Sequence, residues 1–140
     1  MEDRGALSGR LALLEQTLVQ EALCSELRAL EPMAAHTTLR IGGPADLFAV
    51  PQGASAAARV LELCRQGQIP CLVVGNGSNL LVADAGIEGV VLCLKGGLRK
   101  LRREGDRITA GAGLLLGEVA AFAQAKGLAG FEFAAGIPGT

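Results

Sequence analysis

Two glycine-ordered segments hold the residues best suited to chemistry. Val73-Val74-Gly75-Asn76-Gly77-Ser78-Asn79-Leu80-Leu81-Val82 sets a Gly-Asn-Gly-Ser-Asn turn between two apolar runs, a composition that lets bare backbone N–H groups approach a phosphate. Ala134-Ala135-Gly136-Ile137-Pro138-Gly139-Thr140 is a second loop of the same kind, at the end of the chain. Together they suggest a domain that holds a nucleotide cofactor. Taken alone, Gly75 to Asn79 reads as either a phosphate cradle or an ordinary tight turn, since Gly and Asn also supply positive φ in plain loops. It is not the G-x-G-x-x-G of a dinucleotide fingerprint, nor a Walker A motif, which needs Lys-Ser/Thr after its last glycine. Arg40, beside Gly42-Gly43, puts a guanidinium next to a flexible turn, an arrangement that can clamp an anion.

Other polar residues read more plainly. Lys95, Arg99, Lys100, Arg102 and Arg103 alternate with turn residues and face Glu104 and Asp106 in sequence, the pattern of a solvated face rather than of a nucleic-acid patch. His36 has no nucleophile or carboxylate partner in the local sequence and is expected to be structural or exposed. Asp46, Asp84 and Glu132 stand alone and suit turn or capping roles. Cys24, Cys64, Cys71 and Cys93 form no C-x-x-C pair and have only one histidine to join them, so no metal site is expected and buried, reduced thiols are.

The elements that must position these residues follow from periodicity. Leu7, Leu11, Leu14 and Leu18 recur at helical spacing, and Leu23, Leu27 and Leu30 continue the apolar side past a break near Cys24; residues 1–35 are therefore expected to be a helical arm, with Ser8 able to cap it, lying on its own domain rather than on a partner. Glu31-Pro32 ends it. His36 to Ile41 reads as extended, Gly42-Gly43-Pro44 as a turn and Ala45 to Val50 as a strand, a hairpin-like entry to a sheet. A helix from Ala54 to Gln66 with Gly67 at C′ and a strand from Cys71 to Val74 complete a β-α-β unit that runs into the Gly75 turn, and ligands of open α/β sheets collect beyond the carboxyl ends of strands. Short strands are expected at Leu80–Val82 and Gly89–Leu94, then a hairpin of Leu98–Arg103 and Arg107–Ala110 about Glu104-Gly105-Asp106, and a helix over 114–126 closed by Gly127.

Composition bounds the class. The chain has 140 residues, half of them apolar, enough for one domain core but hardly two. With 13 basic and 14 acidic residues, a net charge of −1 and no Trp or Tyr, it has neither the field nor the stacking surface of a nucleic-acid or anionic-membrane binder. No run approaches the roughly 20 apolar residues of a membrane span, and the N-terminus lacks the pattern of a secretion signal. A cytoplasmic location is expected.

Four motifs in order, His36-Thr37-Thr38-Leu39-Arg40-Ile41-Gly42-Gly43-Pro44-Ala45-Asp46, the Val73–Val82 segment, Gly111-Ala112-Gly113, and Gly130-Phe131-Glu132-Phe133 leading into Ala134–Thr140, resemble the flavin domain of the UDP-N-acetylenolpyruvoylglucosamine reductases of bacterial cell-wall synthesis. The resemblance implies an α/β (α+β) fold, the FAD-binding PCMH-type module shared with vanillyl-alcohol-oxidase-like flavoproteins, in two subdomains over residues 36–140 and incomplete at its C-terminus. It implies FAD as cofactor, its pyrophosphate wrapped by Gly75, Asn76, Gly77, Ser78 and Asn79, with Gly136, Ile137, Pro138, Gly139 and Thr140 as the second contacting loop and Gly111 and Gly113 supporting that side. NADPH as reductant and UDP-N-acetylenolpyruvoylglucosamine as substrate are implied likewise. The family's catalytic arginine, serine and glutamate belong to segments after the Gly-Ile-Pro-Gly-Thr loop, so no catalytic residue is expected in this chain. The alternatives are a flavin-binding module without catalysis, an inactive truncated product, and a plain α/β structural domain. Strands near 90–94, 98–103 and 107–110 are expected to present an unpaired edge through which the chain self-associates.

Overall fold

The computed structural model describes residues 4–140; residues 1–3 of the expected arm lie outside this range. Helix α1 runs Arg4–Gln20 and strand β1 Cys24–Pro32, so the helical reading of the 1–35 arm holds only for its first half. The leucine spacing misleads beyond Gln20 because the backbone of residues 24–32 finds a better partner, an antiparallel ladder with β2, Pro44–Pro51, from Cys24↔Pro51 to Pro32↔Pro44. Ala22, at φ 50°, turns the chain out of the helix. Ala22 N–H bonds to Val19 O and Leu23 N–H to Leu18 O, the paired bonds of a Schellman motif with Ala22 at C′. Ser8 lies inside the helix and not at its cap.

Helix α2 spans Ala54–Gln66, β3 Cys71–Val74, β4 Ile87–Cys93, β5 Leu101–Glu104, β6 Arg107–Ala110 and α3 Leu116–Ala125. Helices α2 and α3 end in the same motif as α1: Gln68 to Arg65 O with Ile69 to Cys64 O, and Gly127 to Gln124 O with Leu128 to Ala123 O. The left-handed C′ residue of α2 is Gln68, at φ 50°, rather than Gly67, which keeps a helical φ of −79°. Gly127, at φ 67°, closes α3.

The main sheet has the order β1-β2-β4-β3, with β2, β4 and β3 parallel. Strand β4 therefore separates the two strands of the β2-α2-β3 unit, and the expected open edge at residues 90–94 is instead the interior of the sheet. Open edges fall on β1, on β3, where Leu72 and Val73 are exposed, and on the separate β5–β6 hairpin. Residues 36–43 and 80–82 are loop, not strand. The hairpin-like entry exists, but its first arm is β1 and His36 to Ile41 lies in its long connection.

Alternation along β2 and β4 divides the core. Leu47, Ala49, Val90 and Leu92 face α1 and α2, where Leu7, Leu14, Leu18, Val60 and Cys64 are buried, so α1 lies on its own domain as expected. Phe48, Val50, Val91 and Cys93 face the other way and are covered by Met33 and Val82. Helices clothe one face of the sheet and loops the other.

Candidate functional site

The loop-covered face opens into a cleft of about 470 Å³ at the carboxyl ends of β3 and β4, bounded by the 35–40 loop, Gly75 and Asn76, Lys95, Arg99 and Thr140. A second depression of about 510 Å³ adjoins it, lined by Gly136, Ile137, Pro138 and Gly139 and sharing Asn76 and Leu115 with the first. Two glycine loops far apart in sequence thus meet around one trough. Their approach is close: a β-carbon on Gly75 would collide with Thr140 Oγ1, and one on Gly139 would lie 3.6 Å from Ser78 Oγ. The Gly139 carbonyl accepts from Leu116 N–H at 3.1 Å, tying the terminal loop to the start of α3.

Gly77, Ser78 and Asn79 line neither depression. Gly77 sits at φ 65°, and a β-carbon there would strike the His36 carbonyl; its own carbonyl accepts from Thr38 N–H at 3.1 Å. This glycine is required by the junction of two loops. Gly113 lines the cleft, whereas Gly111 packs on the Leu98 carbonyl outside it.

The 36–43 loop is braced from within. Thr37, 6% exposed, donates Oγ1–H to Ile41 O at 3.1 Å, and Arg40 N–H bonds to Thr37 O at 3.1 Å. Arg40 is held at φ 55°, the left-handed region that costs a side chain free energy, and its guanidinium makes no ion pair among the described residues.

The other basic groups of the cleft are each paired, which sequence reasoning missed. His36 Nε2 lies 2.8 Å from Glu31 Oε1, Lys95 Nζ 3.2 Å from Glu26 Oε1, and Arg99 contacts the Glu118 carboxylate while donating to Gly113 O at 3.3 Å. Glu118 Oε2 in turn accepts from Leu115 N–H at 2.8 Å, capping α3. Phe48, fully buried, lies under this group: the His36 ring stacks on it with centroids 4.0 Å apart, and Lys95 Nζ stands 5.5 Å from its centroid. The hydrogen bond from His36 holds the Glu31 carboxyl below its ordinary value of 4.5, and Arg28 adds to this against the opposing cost of burial.

The expectation that His36 has no carboxylate partner is therefore corrected. Glu31 lies five positions upstream, in the segment read as helix, and meets His36 only because that segment is strand. Lys95 and Arg99 likewise leave the expected solvated face for the cleft, because both precede β5; Arg102 and Arg103 remain outside on the hairpin, Arg102 paired with Glu104. Glu132 accepts from Gly130 N–H at 2.8 Å, a turn role as expected, whereas Asp46, within β2, accepts from Gly89 N–H of β4 at 2.9 Å and so ties two neighbouring strands instead of a turn. No cysteine is disulfide-bonded; Cys64 and Cys93 are buried and Cys24 and Cys71 half-buried. Burial pushes the Cys93 thiol, at the cleft, above 9.0. No described helix is long and apolar enough to cross a membrane.

Comparison with known proteins matches residues 45–140 to the family described as FAD binding domain. The chain is 54% identical over 108 residues to the UDP-N-acetylenolpyruvoylglucosamine reductase of Heliobacterium modesticaldum, a match covering 77% of this chain and 34% of that protein. Among solved structures it resembles the UDP-N-acetylenolpyruvylglucosamine reductase (MurB) of Thermus caldophilus, with a TM-score of 0.60 and 34% identity over 81% of this chain and 38% of that one. A variant of BBE-like 1 from Physcomitrella patens, at 17% identity and a TM-score of 0.55 over 80% of this chain and 26% of that one, shares the fold. The chain spans about a third of the curated relative.

Proposed function

Because this chain belongs to the FAD-binding domain family, we propose that it forms the cofactor-holding part of a UDP-N-acetylenolpyruvoylglucosamine reductase, with residues 36–140 as the FAD-binding domain and β1, from the preceding arm, joined to its sheet at the edge. The observation that carries the reading is the meeting of the Gly75 and Thr140 loops beside Arg40, the one cleft cation without a carboxylate partner among the described residues. A trough of two adjoining depressions suits an extended dinucleotide, and glycines in both of its loops let backbone approach a diphosphate.

In this reading Gly75 and Asn76 present backbone N–H groups to the pyrophosphate, and Arg40 offsets its charge without a bound cation. Gly77 holds the loop against the 36–38 segment, and Ser78 lies beside Gly139 of the terminal loop. Gly136, Ile137, Pro138, Gly139 and Thr140 form the opposite wall. FAD held there supplies the redox centre, with NADPH as reductant and UDP-N-acetylenolpyruvoylglucosamine as substrate of the whole enzyme in the cytoplasm. What these residues contribute is placement, charge and exclusion of water from the trough.

Titration with FAD and with riboflavin, followed by flavin fluorescence, tests the reading. FAD is expected to bind at least tenfold more tightly, about 1.4 kcal/mol, since riboflavin lacks the diphosphate. Equal affinities would sink the pyrophosphate assignment.

A further inference from the structure

His36 is the only histidine in the chain, and it is held on two sides. One ring face stacks on Phe48 at 4.0 Å with an interplanar angle of 21°, and Nε2 meets Glu31 Oε1 at 2.8 Å. Glu31 is itself fixed by Arg28, whose Nη1 lies 3.0 Å from the same oxygen and whose Nη2 bonds to Glu26 at 3.2 Å. The side chains of His36 and Glu31 are only 14% and 13% exposed. Nδ1 has no partner among the described residues, and His36 is one of the residues lining the cleft.

An ionised carboxylate only accepts, so the hydrogen on this contact belongs to Nε2 and, in the neutral ring, Nδ1 is a bare acceptor. We propose that Glu31 is a positioning residue that fixes His36 as its Nε2–H tautomer, and that His36 Nδ1 accepts a hydrogen bond from a hydroxyl or N–H group of the cleft's ligand. The recognised chemistry is a donor, such as a polyol hydroxyl or a ring imide, and not a phosphate oxygen, which would compete with Nδ1 for a proton that neither carries. His36 thereby complements Arg40: the arginine takes the anionic part of a ligand and the histidine a neutral, hydrogen-donating part. The ligand half of this inference rests on the flavin reading above; the tautomer half stands on the Glu31 contact alone.

The single histidine makes the test direct. Long-range ¹⁵N–¹H correlation spectra of the ¹⁵N-histidine-labelled protein, recorded with the ring in its neutral form, are expected to show Nε2–H, and Glu31→Gln is expected to give a mixture of tautomers. A wild-type Nδ1–H ring, or a Glu31→Gln spectrum identical to wild type, overturns the positioning role. Added FAD is expected to move the Nδ1 resonance upfield, as acceptance of a hydrogen bond does. Flavin fluorescence that reports FAD binding while Nδ1 stays unmoved overturns the ligand contact; no FAD binding at all overturns the flavin reading and the ligand contact together, and leaves the tautomer to decide the role of Glu31.

Discussion

Thr140 Oγ1 occupies the place a side chain on Gly75 would need. Since Gly75 is not among the residues at positive φ, its backbone tolerates alanine and the conflict lies with Thr140 alone. Gly75→Ala is expected to displace the terminal loop and weaken FAD about tenfold, with a stability change under about 1 kcal/mol. Gly75→Ala/Thr140→Ala removes the collision and is expected to recover most of the affinity. Titrations of the single and double variants measure this coupling, and additive losses would show that the loops do not meet.

Arg40→Gly separates charge from strain. It removes the unpaired cation of the cleft and relieves a left-handed arginine, so FAD affinity is expected to fall about tenfold while stability rises by about 0.5 to 1 kcal/mol. Opposite signs in a binding titration and a urea melt confirm both roles; a loss in both would assign Arg40 to the fold.

Gly77→Val is expected to damage the fold as well as the cleft. The side chain meets the His36 carbonyl at a φ that β-branched residues avoid, at a cost of about 2 kcal/mol or more in urea unfolding. Ser78→Ala, facing the open side of Gly139, is expected to cost under about 1 kcal/mol.

The helix ends offer a gain. Ala22→Gly and Gln68→Gly place the preferred residue at left-handed C′ positions, each expected to stabilise by about 1 kcal/mol, whereas Gly127→Ala is expected to destabilise by a similar amount. Thermal melts of the three variants check the signs.

The carboxyl of Glu31 is depressed below 4.5 by His36 first and then by Arg28. A carboxylate whose folded pKa is lowered gives stability that is present above the unfolded value and fades as pH falls through the folded one. The stability difference between wild type and Glu31→Gln is therefore expected to be full near neutral pH and to shrink below about pH 4.5. A difference that grows on acidification would reverse the assignment.

Where local signals were unopposed, the sequence reads through to the structure: Ala54–Gln66, Cys71–Val74, Arg107–Ala110 and the Gly127 stop stand where periodicity and turn residues put them. Residues 24–32 do not, because a leucine spacing compatible with a helix says nothing of the ladder that β2 offers. The strand order is equally invisible locally, since nothing in β3 announces that β4 will lie between it and β2. In the cleft, Gly75, Asn76, Arg40 and the terminal loop are legible as turn chemistry. The pairing of Glu26, Glu31 and Glu118 with Lys95, His36 and Arg99 is not, because two of those carboxylates reach the cleft only once residues 24–32 become a strand.

The position of β4 also has a consequence in time. Strand β3 has no neighbour in the sheet except β4, which follows it in the chain. Until residues 87–93 have docked beside β2, β3 has no ladder to join and the Gly75 loop that follows it is not held to the sheet. The β1–β2 pairing is adjacent in sequence and free to form early, whereas closure of the trough waits for the last parallel strand to be inserted. Refolding followed at the cleft, by recovery of flavin binding, is expected to lag behind refolding followed by backbone signal, and substitutions in β4 are expected to slow the first more than the second.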